Sequence, residues 1–104
     1  MIARIWHGRT RASDGDAYAD YVTRSGVKEL RQTPGNRGVY LLRNRKKTEA
    51  EFLVISLWAS YDAIRAFAGE DLERARYFEQ DRKYLVEFEP NVVHYEVLSA
   101  PSPS

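Results

Sequence analysis

The sequence predicts a single α+β domain with the element order β-α-β-β-α-β. Three observations carry that prediction. Residues 2–10 and 37–45 alternate between apolar and polar side chains. The run Phe52-Leu53-Val54-Ile55-Ser56-Leu57-Trp58 is almost continuously apolar. Between and after these stretches, apolar residues recur at helical spacing. A chain of 104 residues suits one domain with a modest core, here placed at residues 1–98 with a loose Pro/Ser-rich tail over 99–104.

The first strand, Ile2 to Thr10, sets Ala3, Ile5 and His7 on one face and Ile2, Arg4, Trp6 and Gly8 on the other. Ser13-Asp14-Gly15-Asp16 reads as a capping box, with Ser13 as N-cap of a helix running to about Gln32. Tyr18, Tyr21, Val22 and Leu30 mark the buried stripe of that helix. Gly26 weakens its middle by about 1 kcal/mol relative to alanine. Thr33-Pro34-Gly35-Asn36 is a turn, and Asn44 to Thr48 is the tip of the hairpin joining the second and third strands. The third strand, Glu51 to Trp58, is apolar enough to be buried on both faces. With helices on one side, a partner subunit is the simplest cover for the other. Ser60 caps a second helix with inner residues Ala63, Ile64 and Phe67, and Gly69 ends it. Leu72 to Phe78 is expected to add a further helical turn or two. Residues 81–90 carry no clear pattern, and Val92 to Leu98 is the last strand. With right-handed crossovers this order yields a ferredoxin-like fold, a four-stranded antiparallel sheet with both helices on one face.

Composition narrows the function classes. Sixteen basic and fifteen acidic residues leave a net charge of +1, which draws the chain toward neither nucleic acid nor an anionic membrane. The third strand lacks the glycine and flanking base of an RNA-reading strand. There is no cysteine, so disulfides, thiolate metal sites and cysteine nucleophiles are excluded. No apolar stretch approaches the roughly 20 residues of a membrane span, and residues 1–6 enter a strand pattern rather than the apolar run of a signal peptide. The expected location is therefore the cytoplasm. The basic run Arg43, Arg45, Lys46 and Lys47 reads as a solvated hairpin tip.

The segment from Phe52 through Trp58, Ser60 and Tyr61 to Phe67 resembles the signature of the antibiotic biosynthesis monooxygenase family: a buried strand ending in Trp, then Ser, then a short helix ending in an aromatic. The Thr33-Pro34-Gly35 turn and the opening Ile2-Ala3-Arg4-Ile5-Trp6-His7-Gly8 are similar to the family as well. The resemblance implies a dimeric α+β barrel, in which two sheets pack back to back and each subunit keeps a pocket between sheet and helices. The activities it implies differ among members, many of which have none known. Some members are cofactor-free monooxygenases that oxidise phenolic or quinol polyketides; others degrade heme. The heme-degrading pattern has Asn on strand one, an aromatic on helix two and a ligating His about nine residues later. The corresponding positions here hold His7, Phe67 and Arg76 or Tyr77. Trp58 matches the monooxygenases' pocket tryptophan, while the amide expected four residues earlier is Val54.

His7 and His94 are the only histidines. Strand counting places His7 roughly opposite Val93 or His94, which would let two near-neutral titrating groups abstract a proton from a phenol. Otherwise His7 is a hydrogen-bonded core residue and His94 lies at an edge or interface. Two histidines alone make a weak metal site, and neither metal nor cofactor is expected. Trp58 and Phe67 would wall a ring, or fill the core. Tyr18 and Tyr21 would present hydroxyls to a ligand, or pack. Arg76 and Tyr77 would sit at the pocket mouth, where an arginine stabilises an enolate or phenolate, unless Arg76 pairs with Glu73 or Glu79. Arg4 and Trp6 are assigned to the dimer side of the sheet. The leading expectation is a cofactor-independent monooxygenase acting on an aromatic, quinol or polyketide-like small molecule. The alternatives are a non-catalytic homodimer that binds a small ligand and a heme protein ligated through Tyr77 or a histidine.

Overall fold

A computed structural model describes residues 1–101; the tail assignment at residues 102–104 lies outside the described residues. Strands β1 (Ile2–Arg11), β2 (Asn36–Arg45), β3 (Glu49–Trp58) and β4 (Val93–Glu96) form one antiparallel sheet in the order β2-β3-β1-β4. Helices α1 (Gly15–Val22) and α2 (Lys28–Gln32) follow β1, and α3 (Tyr61–Ala68) follows β3. A four-residue helix, α4 (Asp81–Tyr84), precedes β4. This is the expected ferredoxin-like α+β arrangement. No helix among the described residues is long and apolar enough to cross a membrane.

The β1–β3 register pairs Arg4 with Ser56, Trp6 with Val54 and Gly8 with Phe52, so these residues share a face. That face packs against the helices. Phe52 and Trp58 are fully buried, and the core adds Tyr18, Val22, Val27 and Leu30 from the first helical segment and Ile64 and Phe67 from α3. β3 alternates along its length between buried and half-buried residues. Its continuous apolar run therefore does not bury both faces within one chain. The second face carries Ile5, Leu53, Ile55 and Leu57, half-buried, beside exposed Tyr40, Leu42, Val93 and Tyr95.

Several local expectations change. Ser13 does not cap α1. Residues Ala12–Asp14 form a tight 3₁₀ turn instead, and no side chain caps the helix start. Gly26 lies in a widened π-helical turn, Thr23–Val27, between α1 and α2, and the Phe78 ring lies where a β-carbon on Gly26 would make contact at 3.4 Å. The Ser60 cap forms as expected, its hydroxyl accepting from the Ala63 N–H at 3.2 Å. Gly69 ends α3 with φ +85°. Gly35 sits at φ +90° under α3, where a β-carbon would meet that of Ala63 at 2.4 Å.

Residues 72–78 are not helical. Their backbone groups are taken by distant partners. The Glu73 carbonyl accepts from the Val92 N–H at 2.7 Å, the Ala75 N–H donates to the Pro90 carbonyl at 2.8 Å, and Arg74 bridges Asn91. The carbonyls of Leu72 and Arg74 accept from the Arg4 guanidinium. A helix would have to withdraw all of these groups into its own ladder.

Candidate functional site

A cavity lies between the inner face of the sheet and the helical layer, closed at one end by the segment between α3 and β4. It spans about 520 Å³ of atom-free space, part of it open to solvent. β1 contributes Arg4 and Trp6, β3 contributes Val54 and Ser56, and the first helical segment contributes Tyr18, Val22, Ser25, Gly26 and Leu30. Phe67, Arg76, Phe78, Asp81 and Val92 complete it. The lining is mostly apolar and aromatic, with a few polar groups, which is the usual composition of a small-molecule site.

Trp6 and Arg4 stand on the helix side of β1, not on the dimer side to which they had been assigned. The reason is parity: their Cα partners Val54 and Ser56 share the buried face of β3. The Trp6 ring lies back across Gly8, where a β-carbon would come within 2.2 Å of it, and it meets the edge of Tyr77 with ring centroids 6.2 Å apart. Its indole N–H is buried on the side of the Tyr77 hydroxyl, whose pKa it pulls down against the rise that burial causes. The Arg4 side chain is buried, and its donors reach the Leu72 carbonyl at 2.5 Å and the Arg74 carbonyl at 3.0 Å. Burial pushes its pKa down to about 10, so it remains charged at neutral pH.

Asp81 is the buried carboxyl of the cavity. Residues 81–90 gave no pattern in the sequence, and α4 supplies this group from there. Oδ1 accepts from the Tyr18 hydroxyl at 3.0 Å, and Oδ2 accepts from the Phe78 N–H at 2.5 Å. Burial raises the Asp81 pKa above the ordinary aspartate value, against the pull of these two hydrogen bonds. Tyr18 is driven far up by burial and by the Asp81 charge, so it stays a hydroxyl donor.

The remaining candidates divide. Tyr18, Phe67 and Arg76 line the cavity. Arg76 pairs with Glu29 at 2.9 Å rather than with Glu73 or Glu79, and its guanidinium lies between the rings of Phe67 and Phe78 at 4.8 and 5.1 Å. Trp58 is fully buried in the core beside the cavity, its N–H donating to the Ser56 hydroxyl at 2.9 Å. Tyr21 accepts from the Gln80 N–H, and the Tyr77 hydroxyl donates to the Glu89 carbonyl; neither lines the cavity.

The two histidines do not come together. β4 pairs His94 with Arg4, three residues away from His7 and on the other face of the sheet. The register sets Val93 opposite Ile5 and His94 opposite Arg4, so the antiparallel partner of His7 would be a residue N-terminal to β4. His94 Nε2 lies 3.2 Å from Arg4 Nη1. Burial, then the Arg4 charge, lowers its pKa, with Glu73 opposing. His7 faces away from the cavity, held between Glu51 at 2.8 Å and Glu89. Partial burial opposes its protonation, but hydrogen bonds and charge from the two glutamates together raise its pKa.

The antibiotic biosynthesis monooxygenase family profile matches residues 1–75. No curated protein matches the chain. Among solved structures, it is similar to a provisionally assigned antibiotic biosynthesis monooxygenase from Nitrosomonas europaea (16% identity, TM-score 0.67, covering 95% of this chain and 100% of that one). A provisionally assigned counterpart from Bacillus cereus has 13% identity and TM-score 0.67, covering 98% of this chain and 97% of that one. The heme-degrader MhuD of Mycobacterium tuberculosis, solved with two hemes in its active site, has 21% identity and TM-score 0.60, covering 98% of this chain and 100% of that one. The cavity described here does not fit a heme ligated by a side chain. Its lining holds no histidine, cysteine or methionine, and its one phenol, Tyr18, is committed to Asp81.

Proposed function

This chain belongs to the antibiotic biosynthesis monooxygenase family, and on that premise we propose that it is a cofactor-independent monooxygenase acting on a phenolic aromatic small molecule. The observation that carries this reading is Asp81: a buried carboxyl with raised basicity, braced by Tyr18 and the Phe78 N–H, in a cavity walled by Trp6, Phe67 and Phe78. Rings of this kind hold a planar substrate, and a carboxylate whose pKa is raised toward neutrality is a better base for a phenol. His7, expected as the base, lies on the far side of the sheet, so the proposed base is Asp81.

In the proposed reaction Asp81 takes the phenolic proton. The anion passes one electron to oxygen, and the resulting pair joins through a new C–O bond at the para ring carbon. That carbon then loses its proton as the O–O bond breaks, and the distal oxygen departs as water, taking up that proton and the one held by Asp81. A phenol and one O₂ thereby become a quinone and one water, with no outside reductant. The half-exposed apolar face of the sheet supports assembly as a homodimer.

The test is oxygen uptake across a panel of phenols, with quinone and peroxide assayed. Stoichiometric quinone without peroxide, lost in Asp81→Asn while the phenol still binds, supports the proposal. Binding of phenols with no uptake by the wild type would make the chain a ligand-binding module instead, and an undiminished rate in Asp81→Asn would remove Asp81 as the base.

A further inference from the structure

We propose that Arg4 is an anion-recognition site in the floor of this cavity, so that the ligand carries a carboxylate in addition to its aromatic ring. The inference deepens the reading above and rests on the same cavity, but it concerns binding and stands apart from turnover.

Arg4 is the only buried cation among the described residues, and no carboxylate lies within ion-pair distance of it. Every other arginine of the site or the sheet with a close partner has an acid: Arg76 has Glu29, Arg9 has Glu49 and Glu87, and Arg43 and Arg45 share Asp16. The protein partners of Arg4 are neutral acceptors, namely two backbone carbonyls and the His94 imidazole. A guanidinium carries five N–H donors in a fixed fork, and these partners occupy three. Neutral acceptors orient the group without cancelling its charge, and a buried charge is costly unless it is paired.

Asp81 does not supply the missing charge. It lines the same cavity, but it forms no ion pair with Arg4; its donors are the Tyr18 hydroxyl and the Phe78 N–H, and its remaining acceptor sites are free for a substrate proton. The Phe67 ring stands 5.8 Å from the guanidinium carbon and supplies the neighbouring wall. A ligand that laid its ring among the aromatics and its carboxylate on the remaining N–H groups of Arg4 would bring the absent negative charge. A planar carboxylate matches the guanidinium fork in two-point contact, which lysine cannot reproduce.

The test compares two probes of one shape, 6-hydroxy-2-naphthoate and 6-hydroxy-2-naphthamide, by calorimetric titration of the full chain at pH 7.5. The wild type is expected to bind the carboxylate at least about tenfold more tightly than the amide. Arg4→Gln should bring the ratio near one, and Arg4→Lys should retain part of it. Equal affinities in the wild type, no binding of the carboxylate at millimolar concentration, or an unchanged preference in Arg4→Gln would each overturn the proposal. If Arg4→Gln does not fold, the wild-type ratio and Arg4→Lys still decide. A wild type that prefers the carboxylate yet consumes no oxygen with any phenol would keep this inference and reject the oxygenase reading. Oxygen consumption with no carboxylate preference would do the reverse.

Discussion

Arg4 and His94 are Cα partners across β1 and β4, and their side chains meet with Nη1 3.2 Å from Nε2 on the cavity side of the sheet. Because an arginine only donates, the imidazole must accept at Nε2 and carry its proton on Nδ1. Protonating it would set a second cation beside a buried one. His7, on the opposite face, sits between two carboxylates and is drawn the other way.

The two histidines should therefore titrate on either side of the ordinary value of about 6.5: His94 below it and His7 above it. Proton NMR titration of the imidazole C–H resonances, assigned with His94→Gln, measures both midpoints. Coincident midpoints would refute the two environments described here. The stability consequences are opposite in sign. His94 contributes stability that is present above about pH 6.5 and is lost as the pH falls through its lowered folded value. His7 contributes stability that is present below about pH 6.5 and is lost as the pH rises through its raised folded value. Urea unfolding between pH 5 and 8 should show His94→Gln losing less stability than the wild type on acidification, and His7→Gln gaining less.

How much of this could be read from the sequence depends on whether local chemistry decided it. The first three strands, the Ser60 cap and the Gly69 stop follow from neighbours in the chain, and they formed as expected, whereas the last strand is shorter than the expected Val92 to Leu98. Face assignment failed at Arg4 and Trp6 because placing His7 toward the pocket puts the alternate residues of β1 on the dimer side. Register would have corrected it: Arg4 stands opposite Ser56, two residues from Trp58 on the same face. Asp81 and the carbonyls of Leu72 and Arg74 were not legible. The segment between α3 and β4 takes its conformation from Arg4, Tyr18 and the backbone at residues 90–92, all distant in sequence.

Gly8 is a packing requirement for the cavity wall. A β-carbon there would lie 2.2 Å from the Trp6 ring and 2.7 Å from a second ring atom, so Gly8→Ala must displace the indole. Overpacking of this kind costs roughly 1–3 kcal/mol. Chemical denaturation should show that loss together with a shifted tryptophan emission and weakened phenol binding. Stability within about 0.5 kcal/mol of wild type, the range of a neutral surface change, would show that the wall yields freely.

Ser56 and Trp58 form a buried donor–acceptor pair two residues apart on one strand face, at 2.9 Å. Ser56→Ala leaves the Trp58 N–H unsatisfied in the core, at a cost of about 1–3 kcal/mol. The same substitution in a Trp58→Phe background should cost distinctly less, because no donor is stranded. A double-mutant cycle measures the difference, and additive effects would mean that the hydrogen bond contributes nothing net.

Tyr18 offers the sharpest test of Asp81 as the base. The Tyr18 hydroxyl stabilises the Asp81 carboxylate and so restrains a pKa that burial has already raised. Tyr18→Phe removes that restraint, which should raise the Asp81 pKa further and cost about 1 kcal/mol of stability. An oxygenase that uses the Asp81 carboxylate loses rate as the pH falls through that pKa. The acidic limb of its pH–rate profile should therefore move to higher pH in Tyr18→Phe, with the rate above the limb largely kept. Asp81→Asn should lower the rate by roughly 10²–10⁴-fold across the whole profile. A merely structural role for Tyr18 would lower the rate or the stability without moving the limb. An unmoved limb in a folded Tyr18→Phe protein would therefore separate Asp81 from the proton transfer.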